Sequence, residues 1–143
     1  MSSVAGYSGT PLAQKLGLKD GQRVLFLDLP ETLGELAEAR SFAEVLRTDW
    51  DSYGDKVPRW DLVHGFTASR EVLETNAKGL MESIARDGTI WISWPKKASK
   101  VMTDITEDVI RAVVLPIGLV DVKVAAVDAV WSGLKLVIRK ELR

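Results

Sequence analysis

The sequence predicts an α/β fold: a mostly parallel sheet with helices on both faces, closed by an antiparallel hairpin near the C-terminus. Three observations carry this. Arg23-Val-Leu-Phe-Leu-Asp28, Trp60-Asp-Leu-Val-His-Gly-Phe66 and Thr89-Ile-Trp-Ile-Ser-Trp94 have the near-continuous apolar character of parallel strands covered on both faces. A segment with helical spacing follows each of them. The end of the chain changes pattern, since Val120 to Ala129 and Leu134 to Lys140 are β-rich runs joined by Val130-Trp-Ser-Gly133, a hairpin-length loop.

Each element has its own signal. Thr10 as N-cap, Pro11 at the first helical position and Gly17 as stop predict a short helix before the first strand. Pro30 opens a second short helix to Arg40, with Leu33, Leu36 and Ala37 at helical spacing. Phe42 to Asp49 fits either an extension of that helix or a strand, and its β-branched content favours the strand. A loop from Asp51 to Pro58 leads to the strand at Trp60. Ser69 then caps an amphipathic helix from Arg70 to Arg86, which Asp87-Gly88 ends. Pro95 lacks an amide proton and is expected to stop the pairing of the strand before it. Asp104-Ile-Thr-Glu107 matches a capping box, with Asp104 capping a helix to about Ile117 and Gly118 ending it. The alternation of strands and helices gives a Rossmann-like three-layer sandwich in a single domain over residues 1–143.

Composition narrows the chemistry. At 143 residues the chain is long enough for one domain with a core, and 46% hydrophobic with 27% charged residues are globular proportions. The net charge of −1 provides no broad basic field, so nucleic acid is not an expected partner. No apolar run approaches the roughly 20 residues that span a bilayer, and the start has no signal-peptide pattern, so a cytoplasmic location is expected. The absence of cysteine excludes disulfides, a thiolate nucleophile and cysteine-ligated metals. One histidine leaves only carboxylates as further metal ligands, so no metal site is expected.

Ligands of open α/β sheets sit beyond the carboxyl ends of the strands. That rule selects Asp28 after the first strand, Thr67, Ser69 and Arg70 after the next, and Trp94, Lys96 and Lys97 after the third. Lysines and free helix amides suit an anionic small molecule, and Trp94 can stack on a flat ring. His64 is read as a hydrogen-bonded, half-buried residue, because the sequence offers it no evident nucleophile or orienting carboxylate. No catalytic residue is assigned. Trp60 and Trp131 could form an exposed apolar patch for a protein partner or a homodimer.

The layout resembles a trimmed class I methyltransferase fold, whose sheet also finishes with a helix and an antiparallel hairpin. Gly6-Tyr-Ser-Gly-Thr-Pro-Leu12, Thr67-Ala-Ser-Arg-Glu71, Trp94-Pro-Lys-Lys-Ala-Ser99, Thr103-Asp-Ile-Thr-Glu-Asp108 and Val130-Trp-Ser-Gly-Leu134 together resemble an uncharacterised bacterial family, a domain of unknown function. That resemblance covers most of the chain outside residues 30 to 59 and implies a fold without an activity. A working S-adenosylmethionine site normally needs a glycine-rich turn after the first strand. Here Asp28-Leu-Pro-Glu-Thr-Leu-Gly34 holds a single glycine, and Pro30 removes an amide. The expectation is a non-catalytic or cofactor-deficient relative of methyltransferases, serving as a binding or interaction module, with no cofactor assigned. The alternative is a small S-adenosylmethionine- or nucleotide-dependent enzyme with an atypical cofactor site.

Overall fold

The computed structural model describes residues 11–143. Four parallel strands, β1 (Arg23–Leu27), β2 (Glu44–Thr48), β3 (Trp60–Phe66) and β4 (Ile84–Pro95), form one sheet with β5 (Leu119–Ala126) and β6 (Trp131–Ile138). The order is β2-β1-β3-β4-β6-β5, and β6 runs antiparallel to both of its neighbours. This is the expected Rossmann-like sandwich with its C-terminal hairpin. Residues 42 to 49 resolve as the edge strand β2, paired with β1 from Glu44 to Thr48.

Alternation along the strands splits the core in two. Leu25, Leu27, Val63, Ile90, Ile92 and Leu134 pack under α2 (Arg70–Ser83) and α3 (Glu107–Val114). Val24, Phe26, Leu62, Phe66 and Trp91 face α1 (Leu12–Lys15) and the residues around Leu33 and Leu36 on the other side. Burial on both faces explains why these strands lack polar alternation.

Several boundaries differ from expectation. Pro11 is the N-cap of α1 rather than its first residue, and Thr10 lies outside the described residues. The helix after Pro30 is a 3-10 helix, Glu31–Glu38. α2 ends at Ser83 instead of Arg86, because Ile84 already pairs with Trp60 in the sheet. α3 is capped by Thr106, whose hydroxyl accepts from the Val109 amide at 3.2 Å, and not by Asp104. It ends at Val114, and a 3-10 turn, Leu115–Ile117, leads to Gly118 at φ +116°. Trp131 to Gly133 belong to β6, so the hairpin loop is residues 127–130. Pro95 does not end the ladder, since it pairs with Trp131 and the next amide, that of Lys96, donates to the Val130 carbonyl at 2.7 Å. Trp60 is buried in the core and cannot form a surface patch, while Trp131 is half-buried with its ring edge-on to Phe66. No helix among the described residues is long and apolar enough to cross a membrane.

Candidate functional site

The strand order reverses beside β1. The chain moves outward from β1 to β2, then crosses back to place β3 on the other side of β1. The crevice beyond the carboxyl ends of β1 and β3 is therefore the topological switch point, where ligands bind in open α/β sheets.

Asp28 stands at the exit of β1 with φ +53°, a left-handed conformation that few non-glycine residues adopt. Its amide donates to the Thr48 carbonyl of β2 at 2.9 Å, which ties the turn to the edge strand. Partial loss of hydration raises its carboxyl above the ordinary aspartate range, and the neighbouring charges of Asp49 and Asp51 push it further up. Asp49 directly follows β2, and its carboxylate accepts from the Asp51 amide at 2.9 Å. Three aspartates thus gather on the β1–β2 side of the crevice. The sequence selects Asp28 but not Asp49 and Asp51, because their approach to Asp28 depends on strand pairing.

Trp50 was also missed. Its indole N–H donates to the Phe66 carbonyl at 2.9 Å, and its ring lies on Gly65, where an added Cβ would stand 2.5 Å from it. With Tyr53 it covers the sheet face across β1 and β3, a place where the β2–β3 connection supplies no helix. The signal for it was present in the glycine that interrupts an otherwise bulky buried strand.

Thr67, Ser69 and Arg70 build the entrance to α2. The Thr67 amide donates to the Ser93 carbonyl at 3.1 Å, and its hydroxyl accepts from the Ser69 amide at 3.1 Å. Ser69 accepts from the Val72 amide at 3.3 Å, and the Asp104 carboxylate accepts from the Arg70 amide at 2.7 Å. Those helix amides are engaged within the chain, and a carboxylate occupies the place proposed for an anion. The Arg70 guanidinium turns to Glu74 at 2.9 Å.

Trp94 points to the α2–α3 side and is buried. It lines an open groove of about 360 Å3 with Thr106, Glu107, Asp108 and Arg111 from the start of α3. Arg111 bridges Asp121, Glu107 and Asp108 at 2.9, 2.8 and 3.0 Å. These hydrogen bonds hold the guanidinium charged and lower the Asp121 carboxyl. Lys96 and Lys97 open a 3-10 turn, and their side-chain ammonium groups meet no hydrogen-bond or ion-pair partner among the described residues. The predicted residues therefore fall at three places along the carboxyl edge, Asp28 after β1, Thr67, Ser69 and Arg70 after β3, and Trp94 with the lysines at the end of β4, and the first and last stand on strands roughly 10 Å apart. Asp28 belongs to an acidic edge, and Trp94 with the lysines to another.

His64 is fully buried rather than half-buried, with Nε2 2.7 Å from the Ser93 hydroxyl and its ring stacked 4.2 Å from Phe66. Burial lowers its pKa to about 3, so it is neutral and no base for an external substrate. Nδ1 has no partner among the described residues. Among those residues no group of three or more His, Asp or Glu side chains is arranged to hold a metal ion.

The turn after β1 does not fit the glycine cradle by which such folds approach a cofactor. Asp28 presents a Cβ there, its amide is spent on Thr48, and Pro30 has none.

No family model matches the sequence, and no curated protein matches it either. The likeness to the uncharacterised bacterial family thus rests on the quoted motifs alone. Solved structures do match. An S-adenosylmethionine-dependent methyltransferase from Aquifex aeolicus aligns with TM-score 0.64 at 15% identity, over 87% of this chain and 86% of that one. Magnesium protoporphyrin IX methyltransferase from Synechocystis PCC 6803, with bound S-adenosylmethionine, aligns with TM-score 0.62 at 14% identity, over 90% and 74%. Phospholethanolamine N-methyltransferase 2 from Haemonchus contortus aligns with TM-score 0.66 at 11% identity, over 90% of this chain but 52% of that one. At these identities the comparison establishes architecture: the chain has the Rossmann-like fold of class I S-adenosylmethionine-dependent methyltransferases.

Proposed function

We propose that the chain is a binding module on a methyltransferase fold, not a transferase. The exit of β1 carries this reading. Of the amides at Asp28-Leu29-Pro30, the first is bonded to Thr48 and the third does not exist. A backbone cradle for a cofactor needs several free amides and no side chain in the way. His64 offers no catalytic base, being buried against Ser93.

The charge of the edge selects the ligand. Asp28, Asp49 and Asp51 repel phosphates and favour a cationic molecule with hydroxyl groups. An anionic ligand at the carboxyl edge belongs beside Lys96 and Lys97.

One observation favours the second reading, an enzyme with an atypical cofactor pose. Asp49 follows Asp28 by 21 residues at the end of β2, the place of the ribose-binding acid in dinucleotide folds, about 20 residues on. S-adenosylmethionine is itself a cation with a ribose diol. Incubating the protein with methyl-labelled S-adenosylmethionine and a desalted cell extract separates the two readings. No label transferred above a heat-denatured control supports the module. Transfer that disappears in Asp49→Asn supports the enzyme.

A further inference from the structure

The opposite end of the sheet holds a second cavity. It has a volume of about 340 Å3, near the lower end of the range of small-molecule sites. Leu62 lines it from near the amino end of β3, Asp87 and Thr89 from the first half of β4, Lys135 from β6, and Lys19 and Gln22 from the segment after α1.

Its rim is tied in place. The Trp91 indole donates to the Leu16 carbonyl at 2.9 Å. The Gln22 side chain donates to the Gly17 carbonyl at 3.1 Å and accepts from the Lys19 amide at 2.8 Å. Asp61, also on the lining, accepts from the Arg23 amide at 2.8 Å. The loop after α1 is thereby fixed against the sheet before any ligand arrives, which lowers the ordering cost of binding.

An independent feature of the hairpin points to an anion. Lys135 is half-buried on an interior strand, across from Trp91 on one side and from Lys123 on the other. Like charges directly opposite in an antiparallel pair are destabilising. The register causes this pairing: a β-bulge between Asp121 and Lys123 inserts Val122, and regular pairing would have put Val122 opposite Lys135. Neither lysine has an ion-pair partner among the described residues. The bulge thus sets two lysines without ion-pair partners opposite each other beside a preformed cavity whose lining also carries Asp61 and Asp87.

We propose that this cavity binds a small molecule through a single oxyanion group, a phosphate monoester or a carboxylate, held by Lys135 and Lys19 with the Thr89 hydroxyl. Asp87 and Asp61 on the same lining disfavour polyphosphates. The site is separate from the carboxyl edge and does not depend on the function proposed for that edge.

The test is a heteronuclear NMR titration of the full chain with inorganic phosphate and with acetate, at ionic strength held constant with sodium chloride. The expected result is saturable shifts at Gly17, Lys19, Gln22, Thr89 and Lys135, with Asp28 and Phe66 unmoved. Lys135→Met weakens binding by about tenfold or more, as expected for loss of a charge-assisted hydrogen bond, and Lys135→Arg retains it. Lys19→Met, in the exposed loop, weakens it as well and serves if the β6 variant misfolds. Tighter phosphate binding assigns a phosphate monoester, and tighter acetate binding a carboxylate. Shifts that never saturate, or that are unchanged in Lys135→Met and Lys19→Met, overturn the proposal.

Discussion

His64 Nε2 and the Ser93 hydroxyl lie 2.7 Å apart across the β3–β4 pair, both buried in a cage that includes Phe66 and Trp91. The imidazole is neutral in the fold, with a pKa lowered to about 3, while in the unfolded chain it takes a proton near 6.5. Below pH 6.5 the unfolded state binds more protons, so stability is complete above that pH and falls as acid is added. The slope from this residue is about 1.4 kcal/mol per pH unit. Urea midpoints from pH 7.5 to 4.5 should fall more steeply for the native chain than for His64→Gln. Parallel curves would show that His64 does not govern acid stability.

Gly65 is predicted to tolerate no side chain. A Cβ there meets the Trp50 ring at 2.5 Å, and the ring is buried and hydrogen-bonded to Phe66. Gly65→Ala should cost about 1–3 kcal/mol by overpacking. The indole proton of Trp50 should then lose its protection from hydrogen exchange. A variant with unchanged stability would mean that Trp50 is free to move.

Removing the Asp28 charge should stabilise the fold. Its raised pKa means that the ionised form is disfavoured in the folded chain, so its contribution is best below the ordinary aspartate pKa and is lost as pH rises through the folded value. Asn also accepts the left-handed conformation at φ +53°. Asp28→Asn should therefore gain a few tenths to about 1 kcal/mol at pH 7, small because exposed charges are screened. The gain should shrink at pH 3, and a loss of stability at pH 7 would contradict the account.

Asp104 caps α2 across a loop instead of capping the helix that follows it. Asp104→Ala should lower stability by about 1 kcal/mol and raise amide exchange at Arg70, leaving the start of α3 unaffected. Thr106→Ala should do the reverse, exposing Val109. Exchange changes at Glu107 in Asp104→Ala would restore the capping box.

These cases show what was legible. The parallel strands read correctly because burial on both faces writes a continuous apolar run, as in Val24 to Leu27. The Asp104 box misled because the sequence pattern is local, whereas the carboxylate is drawn to Arg70, 34 residues away. Arg86 looked helical by spacing, yet Ile84 had already joined the sheet opposite Trp60. At the site, strand-end residues could be named from topology, but not their grouping. Which carboxylates meet depends on register, and β2, whose sequence also fits an extension of the preceding helix, brings Asp49 and Asp51 to Asp28.

The most direct measurement is a calorimetric titration of the full chain with S-adenosylmethionine and S-adenosylhomocysteine at pH 7.5, repeated on Asp49→Asn. The account predicts no saturable binding of either below millimolar concentration, because the turn at Asp28-Leu29-Pro30 lacks the amides to hold them. Micromolar binding that weakens in Asp49→Asn would contradict it and establish a cofactor site on the acidic edge.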